Sequence, residues 1–300
     1  MLAALRPDAW IAMRQKLIDY CRLMRLDRPI GIYLLLWPTL WALWLAADGV
    51  PGLQILGVFV LGTVLMRSAG CAINDYADRD FDPHVDRTRE RPLAAGRVTP
   101  EEAVRLFVAV SLIAFGLLTS LKNTLALMLA IPAVVLAASY PFAKRWLAMP
   151  QAVLGLAFSW GIPMAWAAVL HRVDWLPVAL LMAANLCWVI AYDTYYAMVD
   201  RDDDLRIGVK SSAILFGRHD RRVILILQLT ALALLGLLGL LLELGMAWNL
   251  GLLVAMLLAL HQQWITRQRD PATCFRAFLL NHYFGAAIFI GLALDRLIAA

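Results

Sequence analysis

Two acidic stretches decide the fold of this chain, and they read Asn74-Asp75-Tyr76-Ala77-Asp78-Arg79-Asp80-Phe81-Asp82 and Asp193-Thr194-Tyr195-Tyr196-Ala197-Met198-Val199-Asp200-Arg201-Asp202-Asp203-Asp204. Each follows directly on an apolar run that is long enough to enter a bilayer. Removing carboxylates from water is costly, so acids placed there face a polar cavity, a partner or a metal ion. The pair of stretches therefore predicts a divalent-cation site built from both halves of the fold.

The composition is that of a polytopic membrane protein. Of 300 residues, 62% are hydrophobic and 16% are charged, and the mean hydropathy is +0.71. Soluble domains are about 45–50% apolar and about 25% charged. The net charge of +5 indicates contact with anionic membrane lipids and a fixed orientation, with no nucleic-acid partner. The four cysteines lack any C-x-x-C spacing, which favours reduced, packed thiols.

The fold class that we predict is all-α, a bundle of about nine transmembrane helices. A span needs about 20 mostly apolar residues. Nine stretches approach that length, at about 29–47, 54–75, 104–121, 124–141, 151–170, 175–196, 222–242, 246–265 and 275–294. The last two are the least regular, because polar residues at 261–263 and 281–282 interrupt them.

The basic residues predict the orientation. With the N-terminus inside, most of the 27 lysines and arginines fall on the cytoplasmic side, together with both acidic stretches. An active-site cavity is therefore expected at the cytoplasmic face, beside the long loops 76–103 and 197–221. Residues 1–300 form one predicted integral-membrane domain, with 1–28 as an amphipathic cytoplasmic segment. The absence of a long targeting extension favours a bacterial inner membrane.

The spacing of the acids places each set along one side of a helix. The sets are Asp75, Asp78 and Asp82 at i, i+3 and i+7, and Asp193, Asp200 and Asp204 at i, i+7 and i+11. Like charges at these offsets need a cation, and Mg²⁺ is the natural candidate, because it binds a few carboxylates together with substrate phosphates. Solvated helix ends opposite nearby arginines are the alternative.

Three sequence patterns resemble the UbiA superfamily of intramembrane prenyltransferases. Its motif N-D-x-x-D-x-x-x-D is matched by Asn74, Asp75, Asp78 and Asp82, its motif D-x-x-Y-A-x-x-D-x-x-x-D by Asp193, Tyr196, Ala197, Asp200 and Asp204, and its element Y-x-x-x-K by Tyr140 and Lys144. Stretches such as Arg28-Pro29-Ile30-Gly31 and Lys210-Ser211-Ser212-Ala213 are similar to the hydroxybenzoate branch of the superfamily.

The resemblance implies a reaction and a cofactor. A polyprenyl group would pass from polyprenyl diphosphate to the ring position ortho to the hydroxyl (C3) of 4-hydroxybenzoate, in ubiquinone biosynthesis. Mg²⁺ would be bound by the six motif aspartates, of which Asp75, Asp78, Asp193 and Asp200 are the predicted catalytic residues. Asn74 would orient the metal or a phosphate oxygen, and Tyr140 and Tyr196 would line the substrate site.

Several basic residues are candidates for binding substrate. Lys144, Arg145, Arg79 and Lys210 lie in cytoplasmic segments near the acids, as do Arg87 and Arg91, although positive-inside topology also explains such residues. Arg67 lies seven residues before Asn74, two helical turns deeper on the same face. Its guanidinium suits a benzoate carboxylate, a motif aspartate or a partner on another helix.

Two other classes of function stay open. A superfamily member could use another acceptor, such as naphthoate or homogentisate. A cation transporter also carries intramembrane acids, but it needs charges deeper in the bilayer and a path to the outer face. The length of the prenyl chain and the oligomeric state cannot be read from the sequence.

Overall fold

The computed structural model describes residues 7–84, 88–143 and 145–299 of the chain. Within these ranges the regular structure is entirely helical. The helices are α1 (Pro7–Leu23), α2 (Ile30–Ala47), α3 (Leu53–Asp78), α4 (Pro100–Thr119), α5 (Thr124–Ala143), α6 (Pro150–Ser159), α7 (Gly161–Leu170), α8 (Trp175–Val199), α9 (Arg201–Ile207), α10 (Ser212–Phe216), α11 (Asp220–Leu241), α12 (Met246–Ile265) and α13 (Pro271–Ala299).

The predicted bundle of about nine spans is confirmed. Eight helical stretches of the described chain are long and apolar enough to cross a membrane, so the protein is a multi-pass membrane protein. The ninth, α12, covers the predicted stretch 246–265 but ends in the polar residues His261, Gln262 and Gln263. The interior-facing residue among them is Gln262, which is fully buried and accepts a hydrogen bond from Gln228 of α11 at 2.7 Å.

The fifth predicted span is divided into α6 and α7 at Trp160. Pro163 explains the division, because proline has no amide hydrogen for the carbonyl of Ser159 one turn earlier. The indole of Trp160 instead donates to the carbonyl of Leu129 on α5 at 2.8 Å. This division lets α6 and α7 pack at different angles against the rest of the bundle.

Helix α1 is held against the start of α4. Lys16 and Tyr20 both bond the carboxylate of Glu102, at 2.7 and 2.9 Å. Glu102 also completes a capping box with Thr99, so the same side chain caps the start of α4 and anchors α1. Trp10, Ile11, Met13 and Leu17 of α1 are apolar and exposed, and residues 1–28 as an amphipathic segment on the membrane stay a prediction.

The close pairing of α6 with α8 positions one wall of the candidate site. A side chain on Gly155 of α6 would collide with Leu186 of α8, so glycine permits the two helices to approach. Asn185 of α8 donates to Ser159 of α6 at 2.9 Å within this buried contact. The start of α6 is thereby brought beside the acidic end of α8.

Candidate active site

A cavity of about 690 Å³ lies where α3 and α8 end. All six motif aspartates line it: Asp75, Asp78, Asp82, Asp193, Asp200 and Asp204. The predicted substrate residues Arg67, Asn74, Tyr140, Tyr196 and Lys210 line it as well. The structure therefore brings the two acidic stretches together, as the sequence predicted.

Asp75 is the most enclosed of the acids, with 1% of its surface exposed. Its Oδ1 accepts hydrogen bonds from Arg25 at 2.7 Å and from Arg91 at 3.3 Å. Its Oδ2 is buried and accepts none within the described protein. A buried carboxylate oxygen without a donor is costly, and a cation in the adjoining cavity would satisfy it.

The amide of Asn74 links two other residues of the first motif. Tyr140 donates to its Oδ1 at 3.2 Å, and its Nδ2 donates to Asp78 at 3.2 Å. Because the tyrosine hydroxyl supplies the proton, the amide oxygen and nitrogen are assigned by their partners. The Y-x-x-x-K element thus orients the Asn74 side chain that the first motif begins with.

Asp82 lies beyond the end of α3 in a crowded ionic setting. Burial raises the pKa of its carboxyl to about 6, against the opposing effect of Arg91 and with the help of Asp78 and Asp75. Arg91 bonds Asp82 at 2.8 Å, and its own pKa is raised by the two carboxylates, although burial opposes the rise. The guanidinium is therefore permanently charged, and Arg91 binds both Asp75 and Asp82.

The second motif forms the opposite wall. Asp193 and Gln151, which lies at the start of α6, both line the cavity. The ring of Tyr196 packs on Phe275 and Phe278 of α13, with centroids 6.4 and 5.0 Å apart. Asp200 lies at the junction of α8 and α9, where its carbonyl accepts from the amide of Asp204 at 2.8 Å.

The donor set fits a hard cation that arrives with other oxygen ligands. Among the described residues, no three acidic, histidine or cysteine side chains lie close enough to hold an ion by themselves. Mg²⁺ is usually bound through one or two carboxylates plus water and phosphate oxygens. Carboxylates on two walls of one cavity, with the buried Oδ2 of Asp75 among them, suit that mode of binding.

Arg67 points its guanidinium at the cavity from α3. Its Nη1 lies 2.7 Å from the sulfur of Cys71, and its Nε is buried without a hydrogen-bond partner. No ion pair joins it to a carboxylate in the described part of the chain. The sequence left three partners open for Arg67, and one of them, a motif aspartate, is not bound to it in the described structure.

Of the other predicted basic residues in the described chain, Arg79 and Arg145 lie apart from the cavity lining and Lys210 belongs to it. Arg79 stacks on Tyr76 and bonds its carbonyl at 2.9 Å, while Arg145 bonds the carbonyl of Ala77 at 2.6 Å. Lys210 lines the cavity and bonds the carbonyl of Trp146 at 3.2 Å. Lys144 and Arg87 lie outside the described residues.

The sequence analysis missed three groups of the site. The turn after α1 supplies Arg25, beside Arg22 and Arg28, which also line the cavity. The remaining two are Gln151 and Ser211. The cluster of basic residues before residue 29 was a signal, but it was explained by membrane topology alone.

A smaller, apolar cavity of about 170 Å³ adjoins the first. Arg67, Tyr140 and Phe158 line both cavities, so these side chains lie between the two spaces. Small residues line the smaller cavity between α3, α4, α5 and α7, namely Gly62, Gly70, Ala114, Ala130, Ala133, Ala137 and Gly161.

The fold and the site define a class, the helical membrane proteins that carry two aspartate-rich motifs around one cavity. The model of the UbiA prenyltransferase family matches residues 35–287, and the chain belongs to that family. This confirms the resemblance seen in the sequence.

Relatives and solved structures agree with this assignment. The chain is 57% identical over 290 residues to a protein of Nitrosospira multiformis named 4-hydroxybenzoate octaprenyltransferase, covering 97% of this chain and 99% of the other. A UbiA homolog from Aeropyrum pernix, 28% identical, covers 88% of this chain and 97% of its own with a TM-score of 0.77. A UbiA homolog from Archaeoglobus fulgidus, solved with GPP and Mg²⁺, shares the fold at 17% identity, 92% and 99% coverage and a TM-score of 0.70.

Proposed function

We propose that this protein transfers a polyprenyl group from polyprenyl diphosphate to C3 of 4-hydroxybenzoate, ortho to the hydroxyl, and releases diphosphate, as a step of ubiquinone biosynthesis. The observation that carries the proposal is the meeting of both aspartate motifs in one cavity that also holds an unpaired guanidinium. The name and near-complete coverage of the Nitrosospira multiformis relative support the choice of acceptor.

The part of the site that would bind the prenyl donor must stabilise negative charge. Breaking the allylic C–O bond leaves a carbocation and places charge on the departing diphosphate, and groups that bind this charge more tightly in the transition state accelerate the reaction. Mg²⁺, held by the six motif aspartates directly or through water, would stabilise the charge on the leaving oxygens. Arg25 and Arg91, which contact Asp75, are placed to bind the diphosphate as well.

The acceptor end recognises an aromatic acid. Arg67 is a buried guanidinium with an unsatisfied Nε, and a carboxylate satisfies two N–H donors of a guanidinium at once. We assign the benzoate carboxylate to Arg67. The ring carbon ortho to the phenol then forms the new C–C bond with the allylic cation, and its proton passes to a base as aromaticity returns, for which a cavity carboxylate such as Asp193 is the candidate.

The allylic cation must be shielded from water. Tyr140, Tyr196, Phe275 and Phe278 line the cavity, and aromatic faces stabilise cations without attacking them. A site closed to bulk water limits hydrolysis of the cation. The apolar cavity beyond Arg67 offers the hydrophobic prenyl chain a path into the bilayer.

The location of the protein follows from the same proposal. We assign it to a bacterial inner membrane, with the N-terminus and the active-site cavity on the cytoplasmic side, and we treat residues 1–300 as one catalytic domain. The distribution of lysine and arginine supports this orientation. The exposed apolar face of α1 would then lie on the inner leaflet.

A membrane assay tests the function. Membranes that contain the full chain are incubated with labelled 4-hydroxybenzoate and a polyprenyl diphosphate, with Mg²⁺ or with EDTA. We expect a lipid-soluble labelled product only with Mg²⁺. A lipid-soluble product from labelled naphthoate or homogentisate, with none from labelled 4-hydroxybenzoate, would change the acceptor and keep the family. Product formation in EDTA at the same rate would refute the magnesium site.

A further inference from the structure

A serine hydroxyl in the wall of the cavity has no hydrogen-bond partner among the described residues. Ser211 is 5% exposed and lines the cavity, and its Oγ is buried without a hydrogen bond in the described structure. Leaving a buried hydroxyl unbonded costs free energy, and such groups are rare in native proteins. The position therefore needs an explanation from outside the protein.

The position of Ser211 at the start of α10 is one at which a serine side chain normally forms a hydrogen bond. Ser211 is the N-cap residue of α10, with extended φ and ψ of −148° and 160°. A serine at this position ordinarily bonds a backbone amide of the first helical turn. Here its side chain makes no capping bond.

Gln151 replaces Ser211 as the partner of the helix start. The Oε1 atom of Gln151 accepts the backbone amide of Ser212 at 3.1 Å. An amide donor fixes which end of the glutamine is oxygen. Gln151 thus joins the start of α6 to the segment that carries Ser211.

A second bond fixes the same segment. Thr194 donates its hydroxyl proton to the carbonyl of Ile190 at 2.6 Å, and its oxygen lies 2.8 Å from the Oγ of Ser212. Since the threonine proton is already used, Ser212 is the donor in that pair. Ser212 is therefore fully engaged in holding α10 on α8, while Ser211 is held rigidly with its hydroxyl unused.

We propose that the Ser211 hydroxyl donates a hydrogen bond to an oxygen of the prenyl donor's diphosphate, and that Gln151 is the positioning residue that keeps it available. Ser211 follows Lys210 in the chain, and both line the cavity together with Asp204 of the second motif, whose carboxylate we expect to hold the ion that accompanies the diphosphate. This inference rests on the proposed function for the identity of the donor.

The first experiment compares kinetics of the full chain in membranes. Ser211→Ala should raise the KM for polyprenyl diphosphate about 10- to 100-fold, the range for losing a hydrogen bond to a charged group. The KM for 4-hydroxybenzoate should stay within about twofold. Ser211→Thr keeps the hydroxyl and should stay near wild type. Ser212→Ala, the comparison variant, loosens the same segment but keeps the Ser211 hydroxyl, so it should lower the Tm and raise the donor KM less than Ser211→Ala does.

Other kinetic outcomes contradict the proposal. A rise in the KM for 4-hydroxybenzoate alone would place Ser211 at the acceptor carboxylate. An unchanged donor KM in Ser211→Ala, or an equal rise in Ser211→Thr and Ser211→Ala, would remove the hydroxyl from diphosphate binding.

The second experiment does not depend on turnover. Inorganic pyrophosphate with Mg²⁺ is titrated into the full chain in lipid nanodiscs, and Ser211→Ala should weaken binding by a similar factor. If the wild type binds pyrophosphate but transfers no prenyl group, the proposed function fails and the Ser211 contact is still tested. If Ser211→Ala binds pyrophosphate as tightly as wild type, the contact itself is refuted.

The third experiment addresses Gln151. Gln151→Met removes the hydrogen bond to the Ser212 amide at similar side-chain size. The amide of Ser212 should therefore exchange its hydrogen faster in the metal-free protein, and the donor KM should rise about 10- to 100-fold, as for the loss of outer-shell partners. Ser159→Ala, which breaks another bond between α6 and α8, is the control for general loosening. Equal effects of Gln151→Met and Ser159→Ala on donor KM would reduce Gln151 to a packing residue.

Discussion

Gly31 offers a way to move the guanidinium of Arg67 without touching it. A β-carbon on Gly31 would lie 2.6 Å from Nη2 and 2.8 Å from Cζ of Arg67, and closer still to Nε. Gly31 is inside α2, where alanine is favoured over glycine by about 1 kcal/mol. Gly31→Ala should therefore leave the helix intact and displace the guanidinium.

The size of the effect follows from the contact that is lost. A hydrogen bond to a charged group contributes about 1.5–3 kcal/mol, and each 1.4 kcal/mol corresponds to about tenfold in affinity. If Arg67 binds the benzoate carboxylate, Gly31→Ala should raise the KM for 4-hydroxybenzoate about tenfold. Arg67→Ala should raise it about 100-fold, because both donor groups are removed.

The assay measures initial rates in proteoliposomes, with each substrate varied at saturating concentrations of the other. Gly116→Ala is the matched control, because a β-carbon there meets nothing within 4 Å. The donor KM should change little in Gly31→Ala and Arg67→Ala. A rise in donor KM with an unchanged acceptor KM in both variants would refute the assignment of Arg67.

Three further predictions concern the metal, the proton and the prenyl chain. Asp78→Asn and Asp200→Asn should each abolish turnover with an unchanged Tm, because each removes a negative charge that binds the cation. A near-normal rate in either variant would exclude that residue from the metal site. The affinity for pyrophosphate in the presence of Mg²⁺ should fall by about tenfold per pH unit below pH 6. Burial raises the pKa of Asp82 to about 6, so below that pH the ion must displace a proton from this carboxyl group. If the same pH dependence persists in Asp82→Asn, another group causes it. Ala133→Trp should fill the apolar cavity and slow prenyl transfer from a long polyprenyl diphosphate more than from geranyl diphosphate. Val135→Trp, on the lipid-exposed side of α5, should slow neither of these two transfers selectively. Equal effects of the two variants would exclude the cavity as the path of the prenyl chain.

The transmembrane helices were predictable because apolar composition and length fix them locally. The division of the fifth span at Trp160 was not predicted, although Pro163 is visible in the sequence. A proline in a membrane helix can kink the helix or leave it continuous, and the neighbouring residues decide which. The convergence of the acids was predictable because both stretches follow spans on the same predicted side.

The contacts that complete the site could not be read from sequence spacing. Arg25 reaches Asp75 across 50 residues, and its positive φ of 56° redirects the chain after α1 in a way that no periodicity encodes. Arg79 and Arg145 were selected for their nearness to motif residues, and the structure turns both toward backbone carbonyls. Nearness along the chain gives no direction for a long, flexible side chain.

The arginine pair on Asp75 has a consequence for how the enzyme begins a catalytic cycle. Arg25 and Arg91 already balance much of the negative charge of the first motif, so a lone ion that enters the empty site must compete with two guanidinium groups. A diphosphate that arrives with its ion offers those arginines new oxygen partners in exchange. We therefore expect ordered loading, in which metal and lipid donor bind as one complex and the metal alone binds poorly.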